Sequence, residues 1–189
     1  MNALDVLCRL HQHRIHANRQ LRAAAGTLNE DQLRQSFMIG QGSIWKSLTH
    51  MYAAEFVWLE ACQGNERALT PGDLPGELPG SQRGTGGFAG FADLDTAWTQ
   101  LDERWTTYLA DLAEAALGEL VYRVSTSSGL GKRWGTPRSD ILLHVCTHAH
   151  YTGAQTVNMI RTSGVSPLPD LMLISLSRAE NRAHMSDVD

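Results

Sequence analysis

The feature that most limits what this chain can fold into is a hydrophobic period of three and four residues, which returns in separate stretches. In the clearest stretch, Leu94, Trp98, Leu101, Trp105, Tyr108 and Leu112 follow one another at steps of three and four. At 3.6 residues per turn they form one stripe, the seam of a bundle helix, and such a stripe reads as core packing. Ile44, Leu48, Met51, Glu55, Trp58 and Cys62 repeat the pattern, in a helix expected from just after Gly42 to about Gln63. The first 25 residues predict another helix, with Leu4, Cys8, His11 and Ile15 on its apolar side and Ala23-Ala24-Ala25-Gly26 at its end. Thr27 and Glu30 have capping-box spacing, so a further segment restarts there. A last long helix is expected to open at Thr136-Pro137, a hydroxyl cap followed by a proline whose missing N–H costs nothing, and to end at Gly164.

Between these helices, residues 64–91 are rich in proline and glycine and read as a long connector draped over one end of the fold. Leu120–Val124 are strand-like and lead into a short hairpin or loop before the last long helix. Gly129-Leu130-Gly131-Lys132 within it lacks the spacing of a phosphate loop, which leaves Lys132 as a solvated residue. A short helix is expected around 171–177. The expected architecture is all-α: a four-helix bundle domain over 1–178 and a polar tail over 179–189.

Charge and cysteine usage exclude several classes. With 16 Lys+Arg against 20 Asp+Glu, and only Lys46 and Lys132 as lysines, the chain is poorly suited to a nucleic-acid partner held through phosphates. No apolar run approaches the length of a membrane span, and the N-terminus lacks the pattern of a signal peptide. Cys8, Cys62 and Cys146 have no C-x-x-C spacing, which argues against a disulfide scaffold or zinc ribbon and for a reducing, cytoplasmic setting.

Histidine is over-used and clustered. Of His11, His13 and His16, the first falls on the apolar side of its helix and reads as a satisfied core residue, the others as exposed. His11 and His13 point about 200° apart, which resists a shared ion. His144 and His148 are different: i and i+4 on one helix face, a spacing that lets two imidazoles reach one ion. Thr152, Gln155 and Met159 continue that face, whereas Cys146 and His150 point elsewhere. A third group must come from another helix, and His50 is the candidate, with Ser43, Ser47 and Ala54 as small same-face neighbours that leave room for an ion, water or ligand. The alternative for His50 is a hydrogen bond to a facing side chain.

These residues together resemble the DinB family of four-helix-bundle metalloproteins. His16-Ala17-Asn18-Arg19-Gln20-Leu21 resembles the family's aromatic-x-Asn-x-x-Leu. Gly42-Ser43-Ile44, Leu48, His50, Glu55 and Trp58-Leu59 are similar to its Gly-Ser-Ile-x-x-x-Leu-x-His with a later acidic residue and Trp-Leu. His144, Thr147, His148 and Gln155 resemble its last-helix histidine pattern, and Arg161, Gly164-Val165, Pro167 and Pro169-Asp170 also fit. The resemblance implies a homodimer and a divalent metal, zinc or nickel, held by three histidines with open positions. It also implies a thiol S-transferase that joins a low-molecular-weight thiol to a small electrophile.

One departure divides the functional expectation. The family's three ligand positions fall here on His50, His148 and Thr152, and a threonine hydroxyl is a poor zinc ligand. Losing one ligand costs roughly 3 kcal/mol, about a hundredfold in affinity. His144, one turn before His148, is the replacement ligand available, with Thr152, Gln155 and Ser47 lining the open side. Two readings follow. One is a metal-dependent thiol transferase. The other is a metal-poor bundle acting as a non-catalytic binding or stress-response protein, with His50, His144 and His148 as a polar network.

Overall fold

The computed structural model describes residues 2–73, 87–126, 129–183 and 185. Four long helices, α1 (Ala3–Ala25), α3 (Ile44–Cys62), α4 (Phe91–Ala110) and α5 (Arg138–Thr162), carry the fold. Two short ones, α2 (Glu30–Arg34) and α6 (Leu173–Ala179), and an antiparallel hairpin of β1 (Leu120–Val124) and β2 (Arg133–Pro137) accompany them. The expected helical bundle with a small hairpin before the last long helix is the observed fold. No helix among the described residues is long and apolar enough to cross a membrane.

Local signals place the helix starts, and two differ from expectation. Asn2 caps α1 in a reciprocal box with Asp5, and Asn29, not Thr27, caps α2 in a box with Gln32. Thr27 instead turns its hydroxyl back to the Ala24 carbonyl at 2.8 Å, closing the preceding helix. Thr136 and Pro137 belong to β2, so α5 begins one residue later with Pro137 at its cap and no side-chain cap bond. One of the free backbone donors, the Arg138 N–H, is met by the Glu119 carbonyl at 2.9 Å, and the Arg138 side chain anchors the same junction. Its guanidinium donates to the carbonyls of Cys62 (3.1 Å) and Ala116 (3.2 Å), to Glu119 (2.9 Å) and to the Tyr108 hydroxyl, tying the start of α5 to the ends of α3 and α4.

The expected α4 stripe is core: Leu94, Trp98, Leu101 and Trp105 are fully buried. On α1 the buried face is rotated from the expected one. Leu7, His11, Arg14, Ala17, Asn18, Leu21, Arg22 and Ala25 line it, while Leu4, Cys8 and Ile15 are only half-buried. The reason is a polar cluster in the centre of the bundle. Glu55 on α3 is 1 % exposed and accepts from Arg14, from Asn18 Nδ2 at 2.7 Å and from Trp98 Nε1 at 3.2 Å. Arg22, one helical face further along, holds Asp95 and the fully buried Asp102 of α4, the latter at 3.2 Å. Arg14 and Arg22 also lie over the rings of Trp105 and Trp98.

The 64–73 and 87–90 portions of the expected connector contain neither helix nor strand; its centre, 74–86, lies outside the described residues. The short helix expected at 171–177 forms at Leu173–Ala179, and the end of the expected polar tail, 186–189, is also outside them. The hairpin is held against the end of α3: Val124 donates to the Glu66 carbonyl at 3.1 Å, and the Glu66 carboxylate takes two bonds from Arg133, at 2.7 and 2.6 Å.

Removing one partner from a buried ion pair strands the other, at a cost of about 3–5 kcal/mol. Glu55→Gln should therefore lower the unfolding free energy by roughly that amount in urea titration, a loss that a solvated residue would not produce. Asp102 supplies a pH test. Burial first and the Glu55 charge second push its carboxyl up to about 7, against the pull of Arg14, Arg22 and Arg19. An unfolded aspartate titrates near ~3.9, so between the two values the folded chain holds the extra proton, and stability falls as pH rises through that window. Asp102→Asn, which stays neutral, should lose less stability than the wild type between about pH 4 and about pH 7, read from urea midpoints.

Candidate functional site

Two helices running in opposite directions frame the site. The glycines before α3 set its start: Gly40 (φ +53°) and Gly42 (φ +87°) hold left-handed conformations that side chains resist, in a turn closed by Phe37 N–H to the Gly42 carbonyl at 2.9 Å. Ser43 then caps the helix by accepting from Lys46 N–H at 3.1 Å. Two turns on, His50 faces α5. Along the contact, Trp58 of α3 meets His144 of α5, His50 meets His148, and Gly40 meets Gln155.

The structure thus brings His50, His144 and His148 into one row. The Nε2 atoms of His50 and His148 are 3.0 Å apart, a hydrogen-bond distance with one ring donating and the other accepting. Their ring centroids are 5.0 Å apart, and those of His144 and His148 are 5.6 Å apart. His144 packs edge-on to Trp58, centroids 5.7 Å apart. Burial first, then the neighbouring His50 and His144, lower the pKa of His148 to about 4. Burial and the Arg123 charge also lower that of His144. His148 is therefore a neutral imidazole at neutral pH, the form that a ligand or a hydrogen-bond acceptor requires.

The donor set fits a divalent ion at two positions. Nitrogens bound to one tetrahedral ion at about 2.0–2.1 Å lie about 3.3 Å from each other, close to the observed Nε2 separation. The third position is not matched: among the described residues, no group of three or more His, Cys, Asp or Glu is arranged to hold an ion. Thr152 is buried at the next turn. Ser47 is buried as well, but its hydroxyl donates to the Ser43 carbonyl at 2.8 Å and is already engaged. Gln155 is half-buried against Gly40.

The other histidines divide as follows. His11 is the expected core residue, its Nε2 3.1 Å from the Leu142 carbonyl and its ring against Trp105. His13 and His16, both expected to be exposed, are half-buried; the Nε2 of His13 lies 2.8 Å from the Leu171 carbonyl, where the segment before α6 folds back over α1. His150 is exposed, as expected. Cys146 is buried away from the histidine row, its thiol pushed up to about 12 chiefly by burial. Sequence reasoning missed the flank of the row: Arg123 of β1 stacks on Trp58, its guanidinium 5.1 Å from the ring. No sequence motif marks Arg123; only the packing of the hairpin on α3 brings it there.

Fold and site together define a class: an antiparallel helical bundle with a row of histidines at the contact between two of its long helices. The chain matches the DinB family model over residues 1–183 and belongs to the DinB family. A search of curated proteins finds no match.

The Gly40–Gln155 contact can be tested directly. A Cβ at Gly40 would lie 2.6 Å from Gln155 Oε1 on a left-handed backbone, so Gly40→Ala is doubly strained. It should cost more than about 1 kcal/mol and shift the Gln155 side-chain amide signals in 15N–1H spectra. Gly164→Ala, with the left-handed strain alone and nothing within 4 Å of its Cβ, should leave those signals in place.

Proposed function

We propose that the protein binds a divalent metal between α3 and α5 through His50 and His148, and that this site serves thiol transfer to a small electrophile. The observation that carries the reading is the 3.0 Å approach of two imidazole nitrogens from different helices, at a contact whose burial keeps His148 neutral. His144, one turn away, would be the further nitrogen available to the ion, and Thr152, which brings no nitrogen, would leave that side to water or substrate. A divalent ion there would supply Lewis acidity that lowers a thiol's pKa and favours the thiolate. The chain's own part is to present two neutral nitrogens, to orient them by helix packing and to limit water through the buried walls at Ser47 and Thr152. Zinc and nickel both suit imidazole ligands. A homodimer and a cytoplasmic setting complete the proposal.

A second reading rests on the same distance. The His50–His148 contact is already a hydrogen bond, and Thr152 stands where a third histidine would complete a metal site. On this reading the row is a polar network within a non-catalytic binding or stress-response protein.

Metal analysis of tag-free protein separates the two. About one zinc or nickel per chain, lost in His50→Ala and in His148→Ala, is expected from the metal-binding reading. Retention in His144→Ala would make His144 dispensable; loss would make it the third ligand. No metal after reconstitution and dialysis would sink the enzyme reading. Thr152→His should raise zinc affinity roughly a hundredfold by restoring a ligand one turn beyond His148, measured by chelator competition. An unchanged affinity in that variant would argue that the ion, if bound, sits towards His144.

A further inference from the structure

A second place in the bundle has the room and the chemistry to hold a ligand. Between the last turns of α1 and the first turns of α4 lies an open cavity of about 400 Å³, within the size range of small-molecule sites. Ala23, Gly26 and the half-buried ring of Phe91 form its apolar wall. Its polar groups are Arg19, Arg22, Thr27, Asp95 and Thr99.

Four of those five polar groups already have partners. Buried Arg22 donates to the Asp95 carboxylate, to the Asp95 carbonyl at 2.9 Å, to the Thr99 hydroxyl at 3.2 Å and to Asp102 at 3.2 Å. The Thr99 hydroxyl donates in turn to the Asp95 carbonyl at 2.9 Å, and that of Thr27 to the Ala24 carbonyl at 2.8 Å. Arg19 is the exception. Its side chain is 59 % exposed, and its Nε lies 3.8 Å from Asp102 Oδ2, too far for a hydrogen bond. Among the described residues none of its five donors is engaged in one. The charges have the same bias. Arg22 faces two carboxylates, whereas Arg19 has only Asp102, whose negative charge is partly suppressed near neutral pH because burial, then Glu55, pushes its carboxyl up to about 7.

We propose that this cavity binds a small carboxylic acid with a flat apolar body, its carboxylate on Arg19 and its body beside the Phe91 ring. A guanidinium takes a carboxylate through parallel N–H bonds, and an aromatic ring gives a flat body a surface to pack on. A neutral ligand would leave the unengaged cation unanswered, and a cationic one would meet like charge. The site shares no residue with the histidine row and does not rest on the metal reading.

The test compares benzoate with benzamide, which have nearly the same shape and differ in charge. Binding is followed in 15N–1H spectra at the Gly26 backbone N–H, which lies in the cavity wall. Near pH ~6, benzoate should bind at least about fivefold more tightly than benzamide, the size of step expected of a charge-assisted bond at an open site. In Arg19→Ala the two should bind alike, with the benzamide affinity kept within about twofold. Arg19→Lys, which keeps the charge but loses the fork, should fall between and guards against a folding defect in the alanine variant. Asp102 gives a second readout. It faces Arg14, Arg19 and Arg22 of α1 and Glu55 of α3, with Asp95 on its own helix. As pH rises through about 7 it gains negative charge beside Arg19, so benzoate should weaken by about twofold or more from pH ~6 to pH ~8. Asp102→Asn should remove that pH dependence. No shift at Gly26, equal affinities in the wild type, or a benzoate preference that survives in Arg19→Ala would overturn the inference.

Discussion

At the centre of the bundle, the Glu55 carboxylate accepts from Arg14 and Asn18 of α1 and from Trp98 of α4, while its own helix carries His50 a little more than one turn earlier. A carboxylate removed from water is costly unless paired and hydrogen-bonded, so this arrangement tolerates few alternatives in the rotation of three helices. It explains why α1 buries Arg14 and Asn18, while the second buried arginine, Arg22, is held by Asp102 of α4. It also sets the face that α3 turns towards α5, on which the histidine contact depends. Trp105 reinforces the same junction by donating to the Glu55 backbone carbonyl at 3.2 Å.

The histidine row is built on that scaffold from opposed demands. Burial keeps His148 neutral, and the helix packing holds it close to His50, which suits either a shared proton or a shared ion. The missing third nitrogen leaves one side of the pair to a buried threonine, while the other side continues through His144 to the aromatic and cationic flank of Trp58 and Arg123. The row is thus asymmetric along its length, with small neutral groups at the Gln155 end and a cation at the hairpin end.

The long helices of the bundle were legible because hydrophobic periodicity is a local property, and the helix-end signals around Gly42 and Gly164 act within a few residues. The departures have specific causes. At the start of α2 two overlapping capping patterns compete, and Asn29 with Gln32 satisfies both backbone donors where Thr27 does not. At Thr136-Pro137 the pairing of Thr136 with Val121 and of Pro137 with Leu120 extends the strand through a sequence that reads locally as a helix start. On α1 the expected apolar stripe is displaced because Arg14 and Asn18 count as polar in any periodicity, yet become core once Glu55 faces them.

By itself, the sequence determined the helical class, the family resemblance, the shared face of His144 and His148, and the inward candidacy of His50. Each follows from spacing along a helix, which fixes direction around its axis. Tertiary structure decided the rest: that His50 meets His148 at 3.0 Å, that His13 reaches the Leu171 carbonyl, and that Arg123 stands over Trp58. Those contacts join residues about fifty or more positions apart, and their distances depend on how helices and hairpin pack. Spacing gives each side chain a direction; only packing gives it a partner.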